Sequence, residues 1–185
     1  CFKSLAEPKR IKNTYIYFVL KYIQPTEMKS ISLADALKLG AVGCTGLFAG
    51  NAMYVNVVDT PSKINLDIQF LLLSWKDAFH RAKKIQGGLA LLAAACGYGA
   101  YYFEVPSNRC KIYHIAATAV LSTWPWTIIV MFPDIGKLCD KDCIRKRDET
   151  WIRDKIRAWN NKHMFRTGVS IASFAAFTFA LWVHG

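Results

Sequence analysis

Charge is missing from four long stretches of this 185-residue chain: Leu39 to Val58, Ile85 to Phe103, Ile112 to Pro133 and Thr167 to Gly185. A water-soluble helix shows polar residues on one face every three or four positions, and these runs hold only scattered Ser, Thr and Asn, with Gln86, His114 and His184. Each run is close to the ~20 residues that a helix needs to cross ~30 Å of hydrocarbon, so a soluble helical bundle is the poorer reading. Sequence motifs are scarce as well. There is no Gly-x4-Gly-Lys phosphate cradle and no RNA-reading motif with interleaved aromatics, which argues against nucleic acid as a partner. Cysteine is present but uninformative: Cys44 and Cys96 fall inside charge-free runs, and Cys139-x3-Cys143 lacks the C-x2-C spacing of a redox or zinc pair. No metal site is expected from that pattern, and the redox compartment stays open. The chain opens on Cys1 rather than Met, and is silent on a signal or transit peptide.

What the chain does have is positive charge, 24 Lys and Arg against 13 Asp and Glu for a net +11, set beside the apolar runs. Anionic lipid head groups are the economical partner for such charge. The expected fold is all-α: a four-transmembrane-helix bundle, spans near 36–58, 84–104, 111–133 and 163–184, with an N-terminal interfacial helix and a charged loop between spans three and four. Residues 1–35 then form a basic interfacial arm, in which the apolar run Tyr15–Leu20 is too short to span and Pro25 breaks the helix. Residues 36–185 form the membrane domain. Within the first span, Gly46-x3-Gly50 is a small-x3-small pattern that lets helices approach closely. The connection Asp59 to Ile85 has an apolar centre, Leu66–Trp75, expected as a short amphipathic or re-entrant helix. Pro106, Ser107 and Asn108 break spans two and three apart, and Asp148–Lys162 carries helical potential leading into the fourth.

Four antiparallel spans put the ends of one and three and the starts of two and four on one membrane face. That face collects Tyr54, Asn56 and Asp59, then Trp75, His80, Arg81 and Gln86, then Trp124, Trp126 and Thr127, then Trp159, His163 and Arg166. The last three are spaced i, i+4, i+7 and share a stripe of one helix. Polar groups at membrane depth are costly unless paired, so they are expected to face the bundle interior and bond one another. Trp, Arg and His are equally at home as plain interface anchors. The positive-inside rule leans to this crowded face being cytosolic or matrix-facing. It does not choose between the endoplasmic reticulum and the mitochondrial inner membrane for this multi-pass chain.

The joint pattern resembles the anthrone oxygenase-like family of small four-helix membrane proteins, largely described as a domain of unknown function. The residues that carry the resemblance are Gly46-Leu-Phe-Ala-Gly50, Tyr54, Asn56, Asp59 and Pro61, then Trp75, Arg81-Ala82 and Gln86, then Pro125-Trp-Thr127 and Pro133, and finally Trp159-x3-His163-x2-Arg166. The resemblance implies an oxidoreductase that turns a tricyclic anthrone into an anthraquinone with dioxygen and no known metal or flavin. A base removes the acidic ring proton, and the resulting carbanion reduces dioxygen. It implies catalytic roles for His163 as base, Arg166 as a cation for the developing enolate and Trp159 as a stacking platform. Tyr54, Asn56, Asp59, Arg81, Gln86 and Thr127 would then bind a lipophilic aromatic or quinone-like substrate. The expected partners are the lipid bilayer, that ligand and other membrane subunits. Two alternatives stand beside the enzyme: a non-enzymatic accessory or structural subunit of a larger membrane complex, and a carrier of a lipid or quinone. An enzyme or carrier requires a cavity beside His163, whereas a scaffold would fill that space with Trp and Phe.

Overall fold

The computed structural model describes residues 31–104 and 111–184, and the helices below all belong to the unit Ser32–Gly185. The interfacial helix expected within 1–35 and the Pro106–Asn108 breakers lie outside the described residues. Among those that are described, every regular element is helical. Four long helices account for them: α1 Leu33–Lys63, α2 Ile68–Phe103, α3 Lys111–Cys139 and α4 Glu149–His184. Helices α1, α3 and α4 are long and apolar enough to cross a membrane, which marks a membrane protein. Helix α2, not among those three, carries Lys76, Asp77, Arg81, Lys83 and Lys84 in its first half, and α4 is charged in its first half likewise.

Local chemistry explains the boundaries. The Ser32 hydroxyl accepts from the Asp35 amide at 3.1 Å and caps α1, and the Asp67 carboxylate accepts from the Gln69 amide at 2.9 Å and caps α2. Between α3 and α4 runs a charged connection with one helical turn, Cys143–Lys146. There Asp140 accepts from the Asp142 amide and from Lys146, which together hold its carboxyl below the usual carboxylate range. One expectation is corrected. Leu66–Trp75 is not a separate short helix in a long loop, because α2 runs unbroken from Ile68 and leaves only Ile64–Asp67 to turn the chain. With no Pro or Gly between Asp67 and Gln86, nothing interrupts the backbone ladder.

Each helix packs on its two chain neighbours, α4 closing back onto α1, while α2 and α4 barely touch across the diagonal. Two cores fill the bundle. The one nearer the α1 start and the α2 and α4 ends is built of small residues, Ala41, Ala52, Ala90, Ala93, Ala100, Ala116 and Ala117, plugged by Phe48, Tyr113 and Phe177. Close approach is required at Gly97, where a Cβ would lie 2.7 Å from the Phe177 ring and 3.0 Å from the Ala117 methyl. In the Gly46-x3-Gly50 pair only Gly46 does this, against Phe174 at 2.9 Å, and Gly50 meets nothing within 4 Å. The other core is built of large side chains, Leu71, Leu72, Trp75, Met131, Leu138, Ile152, Ile156 and Trp159. Charged groups lace its rim: the Arg153 guanidinium donates to the main-chain oxygens of Ile64 and Leu66, and Lys155 and Lys162 flank the buried Asp134 at 3.1 and 2.5 Å.

Candidate functional site

The site lies where the two cores meet, and a defect in α1 helps to build it. Residues Val55–Asp59 form one π-turn, in which the Thr60 amide reaches back to the Val55 oxygen. A π-turn holds an extra residue and re-aims the side chains around it. Asn56, in this turn, points its amide at α4. Its Nδ2 donates to the Asn160 main-chain oxygen at 2.8 Å and to the Asn160 side-chain oxygen at 2.8 Å. Its Oδ1 faces His163 Nδ1 at 3.0 Å and accepts from the Thr167 hydroxyl.

This network decides the state of the imidazole. A main-chain carbonyl can only accept, so Asn160 fixes the Asn56 nitrogen on its own side and turns the Asn56 oxygen to His163. In the neutral ring Nδ1 therefore carries the proton, and Nε2 presents its lone pair. The nearest partner of Nε2 is another acceptor, Gln86 Oε1 at 3.4 Å, while the Gln86 nitrogen is committed to Asn51 Oδ1. A buried ring, 1% exposed, thus holds a basic nitrogen that no donor reaches among the described residues.

Beside it is a cavity of about 210 Å³, whose wall includes Asn51, Trp75, Gln86, Trp159, His163 and Arg166. The Trp159 ring lies 5.2 Å from His163 at 38° and meets Trp75 edge-on at 5.2 Å; Trp75 stacks on Phe79 at 5.5 Å. Three of the wall residues hold buried donors without partners among the described residues: Trp75 Nε1, Trp159 Nε1 and Arg166 Nε. Arg166 is 8% exposed, and its guanidinium rests on the Phe48 ring at 5.5 Å. Among the described residues no carboxylate pairs with it. Buried donors and cations left unpaired are expensive, and a ligand rich in acceptor oxygens is what this set lacks. A second cavity of about 340 Å³ lies between α2 and α3, bounded by Gly87, Thr123, Trp124, Thr127 and Ile128, and shares Phe79, Lys83 and Arg166 with the first.

The residues singled out from sequence are distributed unevenly. Trp159, His163, Arg166 and Gln86 share the wall of the first cavity with Tyr54, Asp59 and Arg81. Of these, Tyr54 is half exposed, Asp59 is bound to Lys63 at 2.5 Å, and the exposed Arg81 is bound to Asp77 at 3.0 Å. Asn56 stands behind His163 rather than in the wall. Thr127 borders the second cavity, its hydroxyl donating to the Thr123 oxygen at 2.6 Å. His80 is exposed against Phe79, and Trp126 donates to the Lys162 oxygen at 3.2 Å. Sequence reasoning missed Asn51, Asn160 and Thr167. Thr167 was findable, being one turn beyond His163 on the same stripe. Among the described residues no three His, Cys, Asp or Glu side chains gather as a metal ion would require.

A sequence model of the anthrone oxygenase family matches residues 75–176, more than half of the chain. The chain belongs to the anthrone oxygenase family. No curated protein and no solved structure matches it. The family match opens on Trp75 and takes in Gln86, Trp159, His163 and Arg166, so the anthrone oxygenase segment supplies the aromatic, basic and cationic groups of the wall. The residues that orient His163 and Gln86, Asn56 and Asn51, come from α1, before that segment begins.

Proposed function

We propose that this chain is a four-span membrane oxygenase, acting on a lipophilic aromatic substrate of the anthrone or quinone-like kind. In this reading α2 also crosses the bilayer, through its charge-free half from Ile85 to Phe103, and is the antiparallel neighbour of α1 and α3. The observation that carries the reading is the pairing of His163 Nε2, which no donor reaches among the described residues, with Arg166, whose Nε has no partner there, on the wall of one cavity.

The chemistry needs little more. A ring CH₂ next to a carbonyl and flanked by aromatic rings is acidic, because its conjugate base is an aromatic enolate. His163 Nε2 takes that proton, Asn56 holding the ring through Nδ1–H. Arg166 and the two indole N–H groups lie where an enolate oxygen can be held, and Trp159 offers a face for a flat ring system. The electron-rich enolate then reduces dioxygen; one oxygen atom becomes the new carbonyl and the other leaves as water, so that CH₂ and O₂ give C=O and H₂O.

The test uses the full chain purified in lipid nanodiscs, an anthrone, and air, with the quinone followed by absorbance against spontaneous oxidation. Wild type is expected to exceed the background. His163→Gln, which keeps size and hydrogen bonding but is no base, is expected to lose ~10²–10⁴ in rate. Equal rates for the two proteins, or no rate above background for wild type, would overturn the proposal.

A further inference from the structure

The second cavity is larger than the one at His163 and is walled by two facing stripes. Phe79, Lys83 and Gly87 recur every four residues along α2, and Trp124, Ile128 and Phe132 do the same along α3. A π-turn at Thr127–Met131, just before Pro133, lies at the middle of the second stripe, and such turns favour functional sites over plain packing. Trp124, Ile128 and Phe132 are all exposed, Ile128 by 50%, so the mouth is apolar and opens between α2 and α3. The floor differs. Arg166, buried and with no partner for its Nε among the described residues, is part of the lining, and the exposed Lys83, paired with no carboxylate among those residues, lies over the Phe79 ring at 5.4 Å. An apolar mouth over a buried, uncompensated cation is matched by a molecule that is apolar along its length and anionic at one end. The guanidinium fork, with Nε beside an Nη, suits a carboxylate.

We propose that this second cavity is a binding site for a lipophilic carboxylate, which enters between α2 and α3 with its carboxylate on Arg166 and its apolar body along Trp124, Ile128 and Phe132. Lys83 closes over the anion from the α2 side. The site does not depend on the oxidation proposed above, since neither the base nor dioxygen takes part in it. The acid could be aromatic or a fatty acid, and the two sources share the recognising chemistry.

Binding is measured on the full chain in nanodiscs without any turnover. The probes are anthracene-2-carboxylate, followed by its fluorescence, and dodecanoate, followed by displacement of that probe. Their neutral alcohols, 2-hydroxymethylanthracene and dodecanol, are the controls. At least one acid is expected to bind ten-fold or more tightly than its alcohol, and the preferred acid names the source. Ile128→Trp fills the mouth from an exposed position without disturbing the buried core, and is expected to weaken the acid at least ten-fold. Arg166→Gln should abolish the preference for acid over alcohol. Equal binding of acids and alcohols, or unchanged binding by Ile128→Trp, would overturn the proposal. A chain that binds the acid yet oxidises no anthrone would leave this site standing and remove only the oxygenase.

Discussion

The two cores of this bundle pack by opposite means. Around Gly97 and the alanines of the first core, small residues let backbones close up until Phe177 has no slack. Around Trp75, Trp159 and Leu138 the helices are held apart by large side chains. Such a change of spacing along one set of helices leaves a layer that neither mode fills, where Arg166, with its unpaired Nε, borders both cavities. A site can therefore arise at a mismatch of packing modes, with no loop devoted to it.

The first way to break this contrast is to put bulk into the small-residue core. Gly97→Leu is expected to be the most damaging change, about 3 kcal/mol or more, because its neighbours are ring and methyl atoms already at contact. Thermal unfolding in detergent reads it, and an unshifted midpoint would mean that the close packing there is not needed. Asn56→Leu attacks the layer between the cores. It takes the partner from His163 Nδ1 and from the Asn160 side-chain oxygen and leaves the Thr167 hydroxyl only the His163 main-chain oxygen, for about 2 kcal/mol, and a second substitution at Thr167 should then add little. Full additivity of the two would show that Asn56 does not organise this network.

Asp134→Asn tests the charged rim of the large-residue core. The carboxylate is buried between Lys155 and Lys162, but both lysines can turn to water, so the loss is expected near ~1 kcal/mol rather than the several kcal/mol of a fully buried pair. Arg81→Ala should do least, below ~0.5 kcal/mol, since its pairing with Asp77 is exposed on the α2 surface. A larger fall in stability would place Arg81 within the packed layer rather than at its edge.

How much of this was legible in the sequence follows the same division. The charge-free runs revealed the helices because hydrocarbon tolerates no unpaired charge, and that constraint is written residue by residue. The long continuation of α2 was harder to see, since Leu66–Trp75 read as a separate piece and only the lack of a breaker joins it, whereas Asp148–Lys162 read as helical and leading into the fourth span. His163, Trp159 and Arg166 were recognisable from helical spacing, which holds along the regular α4. Asn56 and Asp59 part ways for the converse reason. The π-turn between them changes the phase, so that Asn56 turns to His163 while Asp59 turns to Lys63, and no residue pattern announces such a turn. Which donors remain unpaired is a property of three-dimensional packing alone.

Two of the helices, α2 and α4, have 36 residues each. At ~1.5 Å per residue each is ~54 Å long, against ~30 Å of hydrocarbon. Their charged halves, before Ile85 in α2 and before Thr167 in α4, belong to the same end of the bundle. In the proposed topology that surplus carries the bundle clear of the oily layer, with the end of α3 packed between the two helices and His163 near its foot. A greasy molecule could then be taken up from below while a released proton and water leave from above, so the boundary between oil and water would itself sort reactant from product.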